Sequence, residues 1–254
     1  MKPGLVSVSF RQLSPESIVD LCVRSGLRAI EWGGDIHVPP GDAAIAGSVG
    51  EMTRAAGLSI TAYGSYHRLA TPGGAPFEDV VATAEALGAP AIRVWAGKRG
   101  SAETDNAGRQ AVVEDALRCA DLAGAKGISI CYEFHDNTLT DTTESALSLL
   151  AETEHPFIRS LWQAPHGKSP QECLASLRAM MPRLHHLHVF HWWPGPAQRH
   201  PLADGRERWE AYVAELKDGS KDVDLLLEFV RGDDPKALED DARTLQDILA
   251  LSGG

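Results

Sequence analysis

The chain has 254 residues, with 24 Lys plus Arg against 35 Asp plus Glu and a formal net charge of −11. That balance argues against a nucleic-acid partner, which calls for a basic surface, and against adsorption to anionic lipid. At 43% hydrophobic and 23% charged, the composition is that of an ordinary globular domain with a sizeable core.

Short apolar runs alternate with longer amphipathic stretches. Leu5 to Phe10 reads as a first strand, with Ser14-Pro15-Glu16-Ser17 starting a helix. Ala29 to Trp32 is a second strand, 42–57 a helix and Leu58 to Tyr63 a third strand. Helix 76–87 leads to strand Ala91 to Trp95, and helix 106–125 leads to strand Gly127 to Phe134. Helix 142–152 precedes strand Phe157 to Trp162; helix 169–180 precedes strand Leu184 to Phe190. Helix 206–216, strand Val223 to Phe229 and helix 235–251 complete the chain.

Glycines 26, 57, 88 and 127 stop helices just before the next strand, as helix C-caps do. Alternating strands and helices imply parallel strands with crossover helices. Eight such units in this length specify an α/β fold of the (β/α)₈ TIM-barrel type, one domain over residues 1–254. A doubly wound sheet is disfavoured, because the turn Arg11-Gln12-Leu13-Ser14 lacks the glycines of a phosphate loop. Cys22, Cys119, Cys131 and Cys173 form no CxxC pair and read as buried free thiols. There is no run of 18 apolar residues and no signal core before Leu5, so no membrane span and a cytoplasmic location are expected.

Barrel chemistry gathers at the C-terminal strand ends. There the sequence places Glu31-Trp32, Arg93 and Trp95, Glu133, Gln163 followed by His166, His188 followed by His191, and Glu228. A carboxylate in an apolar strand is costly unless paired or bound to a metal. Glu133, Gln163, His188 and Glu228 offer three oxygens and one imidazole nitrogen, a mixed set suited to Mn²⁺, Mg²⁺, Co²⁺ or Zn²⁺. An inward arginine such as Arg93 is the competing partner for the glutamates. His185 and His186 read as a surface run, and Trp32, Trp95 and Trp192 as either core or ring-stacking walls. Lys98-Arg99-Gly100-Ser101 reads as an exposed basic loop.

These residues resemble the xylose-isomerase-like barrels, the sugar isomerase and epimerase superfamily, over essentially the whole chain. The resemblance implies metal ligation by Glu133, His188 and Glu228, with Gln163 where the ketose 3-epimerases carry Asp. The four positions lie 30, 25 and 40 residues apart, about one βα unit each. It further implies proton transfer next to a carbonyl by Glu133 and Glu228, with a small-molecule sugar as substrate. His166 would bind a substrate oxygen, and Arg199 is the nearest candidate for the arginine that epimerases place after the strand-seven His. Trp32, Trp95 and His191 complete the expected substrate wall. The related DNA-repair endonucleases need further histidines; His67 would serve, but strand four ends Trp95-Ala96-Gly97. The alternatives are a metal-dependent lyase or hydrolase on sugar-derived substrates and a non-catalytic sugar-binding barrel. Family members are often dimers or tetramers, which leaves a homo-oligomer open.

Overall fold

The computed structural model describes residues 1–251. Eight parallel strands close into a barrel in simple chain order. They are β1 (Pro3–Val6), β2 (Ala29–Gly33), β3 (Ser59–Arg68), β4 (Ala91–Trp95), β5 (Ser129–Tyr132), β6 (Ile158–Trp162), β7 (Leu184–Val189) and β8 (Asp224–Leu227). Each is followed by a helix: α1 (Pro15–Arg24), α2 (Ala43–Ala55), α3 (Phe77–Leu87), α4 (Asn106–Gly124), α5 (Thr143–Glu152), α6 (Pro170–Met180), α7 (Arg206–Asp218) and α8 (Pro235–Leu251). The (β/α)₈ expectation holds. One strand is shorter than its apolar run: β1 stops at Val6, and Ser7–Phe10 coils into a 3-10 turn.

Local chemistry accounts for the punctuation. Ser14 caps α1 by accepting from the Ser17 amide, with Pro15 in the first turn where its missing N–H costs nothing. Ser169 and Glu172 form a reciprocal capping box on α6. Gly88 ends α3 at φ 78°, a left-handed conformation that glycine adopts without a Cβ penalty.

Strand alternation sorts side chains into two layers. One face packs under the helices in a continuous core that includes Ile30, Trp32, Ile92, Tyr132, Trp162 and Leu187. Indole N–H groups there find partners: Trp32 donates to Thr53 Oγ1 at 3.1 Å and Trp162 to Ser176 Oγ at 3.1 Å. The other face fills the barrel lumen with small groups such as Val6, Ala29 and Leu226, and Ala62, Ala91 and Cys131. All four cysteines are buried and unpaired, as expected. Between β6 and β7 the register runs from Ser160↔Leu184 to Trp162↔Leu187, so β7 carries one extra residue at His185-His186. Among the described residues, no helix is long and apolar enough to cross a membrane.

Candidate metal and substrate site

Glu133, Gln163 and Glu228 each occupy the first position beyond their strand, and His188 is the fifth residue of β7. All four are buried. Ligand atoms of Glu133, His188 and Glu228 lie within 4.8 Å of one another. Gln163 is oriented by its amide, which donates to the Phe134 carbonyl at 2.6 Å. A carbonyl only accepts, so the nitrogen faces it and Oε1 is left free. Oε1 is buried without a hydrogen-bond partner, as is His188 Nδ1. Two orphaned acceptors beside two carboxylates suit a cation.

The electrostatics agree. Arg93 lies between Glu31 (3.7 Å) and Glu133 (3.3 Å), so the inward arginine is present as well as the metal-like group. Three buried carboxylates, Glu31, Glu133 and Glu228, face this one guanidinium, which leaves two negative charges when His188 is neutral. A divalent ion balances them. Without it, the balance falls on His188: burial opposes its charge, but Glu228 at 3.5 Å and Glu31 at 3.0 Å push its pKa up to about 10. Burial works against ionisation of Glu31 too; His188, His186 and Arg93 outweigh it and hold the carboxyl well below the usual range.

Above this group opens a cavity of about 410 Å³. Glu133, Gln163 and Glu228 line it, with Arg11, Tyr66, Trp95, His166, Trp192 and Arg199 around the wall. Trp95 donates to Glu133 Oε2 at 2.5 Å and carries the Arg68 guanidinium 4.0 Å above its ring. His166 stacks on Trp192 with ring centroids 5.6 Å apart, and its Nε2 is buried and unpartnered. Arg199 is held by Asp233 at 2.7 Å. Phe229, directly after Glu228, sits at φ 46°. Its N–H donates to Ser9 Oγ and its carbonyl accepts from Trp192 Nε1. Those bonds hold a conformation that non-glycine residues avoid.

Two expected wall residues are elsewhere. Trp32 is fully buried in the sheet–helix layer against Thr53. Alternation explains this: Glu31 points into the lumen, so Trp32 points out. His191 lies outside the cavity, its ring against Gly205 and 5.8 Å from His200. The loop pairs Trp192 with Arg199 in an antiparallel bridge; both of these line the cavity, while His191 turns towards Trp209 and Arg208 on the far side. His186 is no surface residue: it is fully buried and 2.9 Å from Glu31 Oε2. His67 packs against Asp115, Cys119 and Phe77, away from the cavity.

A family model described as a xylose isomerase-like TIM barrel matches residues 19–248. The chain belongs to that family. It is 29% identical over 147 residues to 3-dehydroshikimate dehydratase of Bacillus anthracis, a match covering 50% of this chain and 52% of the relative. The match thus spans about half the length of that curated relative. Among solved structures it is similar to the probable 3-DHS dehydratase AsbF of Bacillus anthracis, with TM-score 0.80, 22% identity and coverage of 97% and 99% of the two chains. It is similar to D-psicose 3-epimerase, with TM-score 0.78, 18% identity and full coverage of both chains. It is also similar to the IOLI protein with a bound zinc atom, with TM-score 0.77, 14% identity and 99% coverage of each. At these identities the structural matches show the shared fold.

Proposed function

We propose that this protein is a divalent-metal-dependent isomerase or epimerase that moves a proton next to the carbonyl of a small sugar. The observation that carries the reading is the buried Glu133–His188–Glu228 group, with two orphaned acceptors, under a cavity walled by aromatic and cationic side chains. Glu133, Gln163, His188 and Glu228 would hold the ion. When bound, it supplies positive charge beside the carbonyl oxygen as negative charge develops there.

The chain's own residues do the rest. One of Glu133 and Glu228 takes the proton from carbon; the other returns a proton. The Trp95 N–H and Arg93 fix the Glu133 carboxylate from one side. His166 and Arg199, both on the cavity wall, are placed to meet substrate oxygens. Trp95 and Trp192 flank the ring or chain of the substrate.

A second reading is favoured by the dehydratase relative: the same proton removal followed by loss of a neighbouring hydroxyl as water. One experiment covers both. Metal-loaded protein in deuterated water is offered free and phosphorylated ketoses and a polyhydroxylated cyclic ketone. Deuterium at the carbon next to the carbonyl in a product of unchanged formula supports isomerisation. A product lighter by one water, with conjugated ultraviolet absorption, supports elimination instead. Absence of both exchange and water loss from every compound would sink the shared proton-transfer chemistry.

A further inference from the structure

We infer that Glu31 and His186 are positioning residues for the metal centre, holding the His188 ring so that Nε2 carries the proton and Nδ1 presents its lone pair to the ion. This rests on the reading that Glu133, His188 and Glu228 hold a divalent cation.

Glu31 is buried in the lumen with no exposed surface. It is not among the residues lining the cavity, so it does not touch substrate. A single oxygen, Oε2, stands 2.9 Å from His186 Nε2 and 3.0 Å from His188 Nε2. A carboxylate oxygen only accepts, so each ring turns an N–H towards it. That choice assigns the other nitrogen of each ring. On His188 it leaves Nδ1, which has no hydrogen-bond partner and lies 3.5 Å from Glu228 Oε2. On His186 it leaves Nδ1 as an acceptor, 2.9 Å from His185 Nδ1, which then donates. The extra residue in β7 helps bring His185 and His186 together here. The hydrogen bonds of all three rings therefore run one way, ending on Glu31.

The fold keeps room for this carboxylate. A Cβ on Gly64 would sit 2.7 Å from Glu31 Oε1. Glu31, His186 and His188 also lie close enough to resemble a second cation site. Both nitrogens facing Glu31 are already engaged with it, so the group reads as a hydrogen-bonded support. Carboxylate–imidazole–metal arrangements of this kind fix the tautomer and raise the basicity of the ligating nitrogen.

The test uses the intact protein stripped by chelator and titrated with Zn²⁺ or Mn²⁺ in a calorimeter. Glu31→Gln removes the charge that both rings donate to, and with its carbonyl oxygen in the place of Oε2 its N–H₂ is turned against the Arg93 guanidinium. We expect it to weaken metal binding about 10- to 100-fold, with partial recovery in Glu31→Asp. In the zinc-loaded wild type, ¹⁵N shifts of the His188 ring should show a protonated Nε2 and a zinc-bound Nδ1. This second measurement needs no variant, so it decides the matter if Glu31→Gln does not fold. Zinc on Nε2, or Glu31→Gln affinity within twofold of wild type, overturns the inference while leaving the metal centre standing. A wild type that binds neither ion overturns the metal reading and this inference together.

Discussion

Glu31 and His188 are 157 positions apart in the chain and 3.0 Å apart in the barrel. Neither side chain has any exposed surface. Each is therefore held charged or hydrogen-bonded by its buried neighbours alone, Glu31 also by Arg93 and His186, and His188 also by Glu228. Removing Glu31 leaves Glu228 beside His188 but orphans the buried Nε2–H groups of His186 and His188, at a typical cost of about 1–3 kcal/mol. Glu31→Ala should lower the unfolding free energy of the metal-free protein by that amount in urea denaturation. A loss below about 1 kcal/mol would contradict the hydrogen bonds assigned to Glu31 Oε2.

Gly64→Ala tests the space rather than the charge. The new methyl would meet Glu31 Oε1 at 2.7 Å and the Trp32 carbonyl at 3.4 Å. The carboxylate must swing away from both histidines or the β2–β3 ladder must open. A loss of about 1–3 kcal/mol is expected from the overpacking, read by the same denaturation curve. Unchanged stability would mean that Glu31 has free room.

Gln163→Glu keeps the length of the side chain but sets two acceptors against each other. The amide that donates to Phe134 O at 2.6 Å becomes a carboxylate oxygen. The metal-free variant should be destabilised by about 1–3 kcal/mol. Added Mn²⁺ or Zn²⁺ should raise its melting temperature more than it raises that of wild type, because the extra charge is then taken up by the ion. Paired melts with and without metal check this; equal increments would count against Gln163 as a ligand.

Asp241 in α8 sets a pH dependence of stability. Burial, with Asp240 and Asp204 nearby, outweighs the Leu202 N–H bond and pushes its pKa up to about 6 from an ordinary 3.8. A carboxyl with a raised folded pKa favours the native state while protonated. That advantage is complete below about pH 4 and is lost as pH rises through 6. Asp241→Asn retains an acceptor for Leu202. It should match wild type near pH 4 and exceed it above pH 6.5 by up to about 3 kcal/mol. Parallel curves across this range would refute the assignment.

Glu133→Gln and Glu228→Gln should each lower deuterium exchange into a confirmed substrate by about 10²- to 10⁴-fold, the usual weight of a positioned acid or base. Full turnover in either variant would remove that residue from the proton path.

The barrel was legible because its signals are local. Apolar runs of strand length recur once per unit, helix caps and stop glycines punctuate several of them, and the observed strands overlap those runs. Glu133, Gln163, His188 and Glu228 were legible for the same reason, each marking a strand's polar end. Glu31 stood in view at the end of its strand, but its partners lie 155 and 157 positions away, and no short-range spacing connects them. Side-chain parity along each strand carries further information. His186 shares its face of β7 with His188, and Trp32 cannot share one with Glu31; these rules separate lumen from helix layer without coordinates. Arg11 and Tyr66 had no comparable signal. They enter the cavity because Arg11 pairs with Asp35 at 2.5 Å and with the Tyr66 hydroxyl at 2.5 Å, contacts that join the turns after β1 and β2 to the end of β3.

The polar centre is shared among distant strands: Glu31 from β2, Arg93 from β4, Glu133 after β5, His186 and His188 from β7, Glu228 after β8. A chain halted after β6 would carry Glu31 and Glu133 with Arg93 as their sole cation from this set. The last two strands bring both histidines together with the third carboxylate. Barrel closure is thereby marked twice, once by the β8–β1 ladder and once by the bonds that β7 sends across the lumen to Glu31 on β2. A barrel lacking those two strands would leave Glu31 without either imidazole donor.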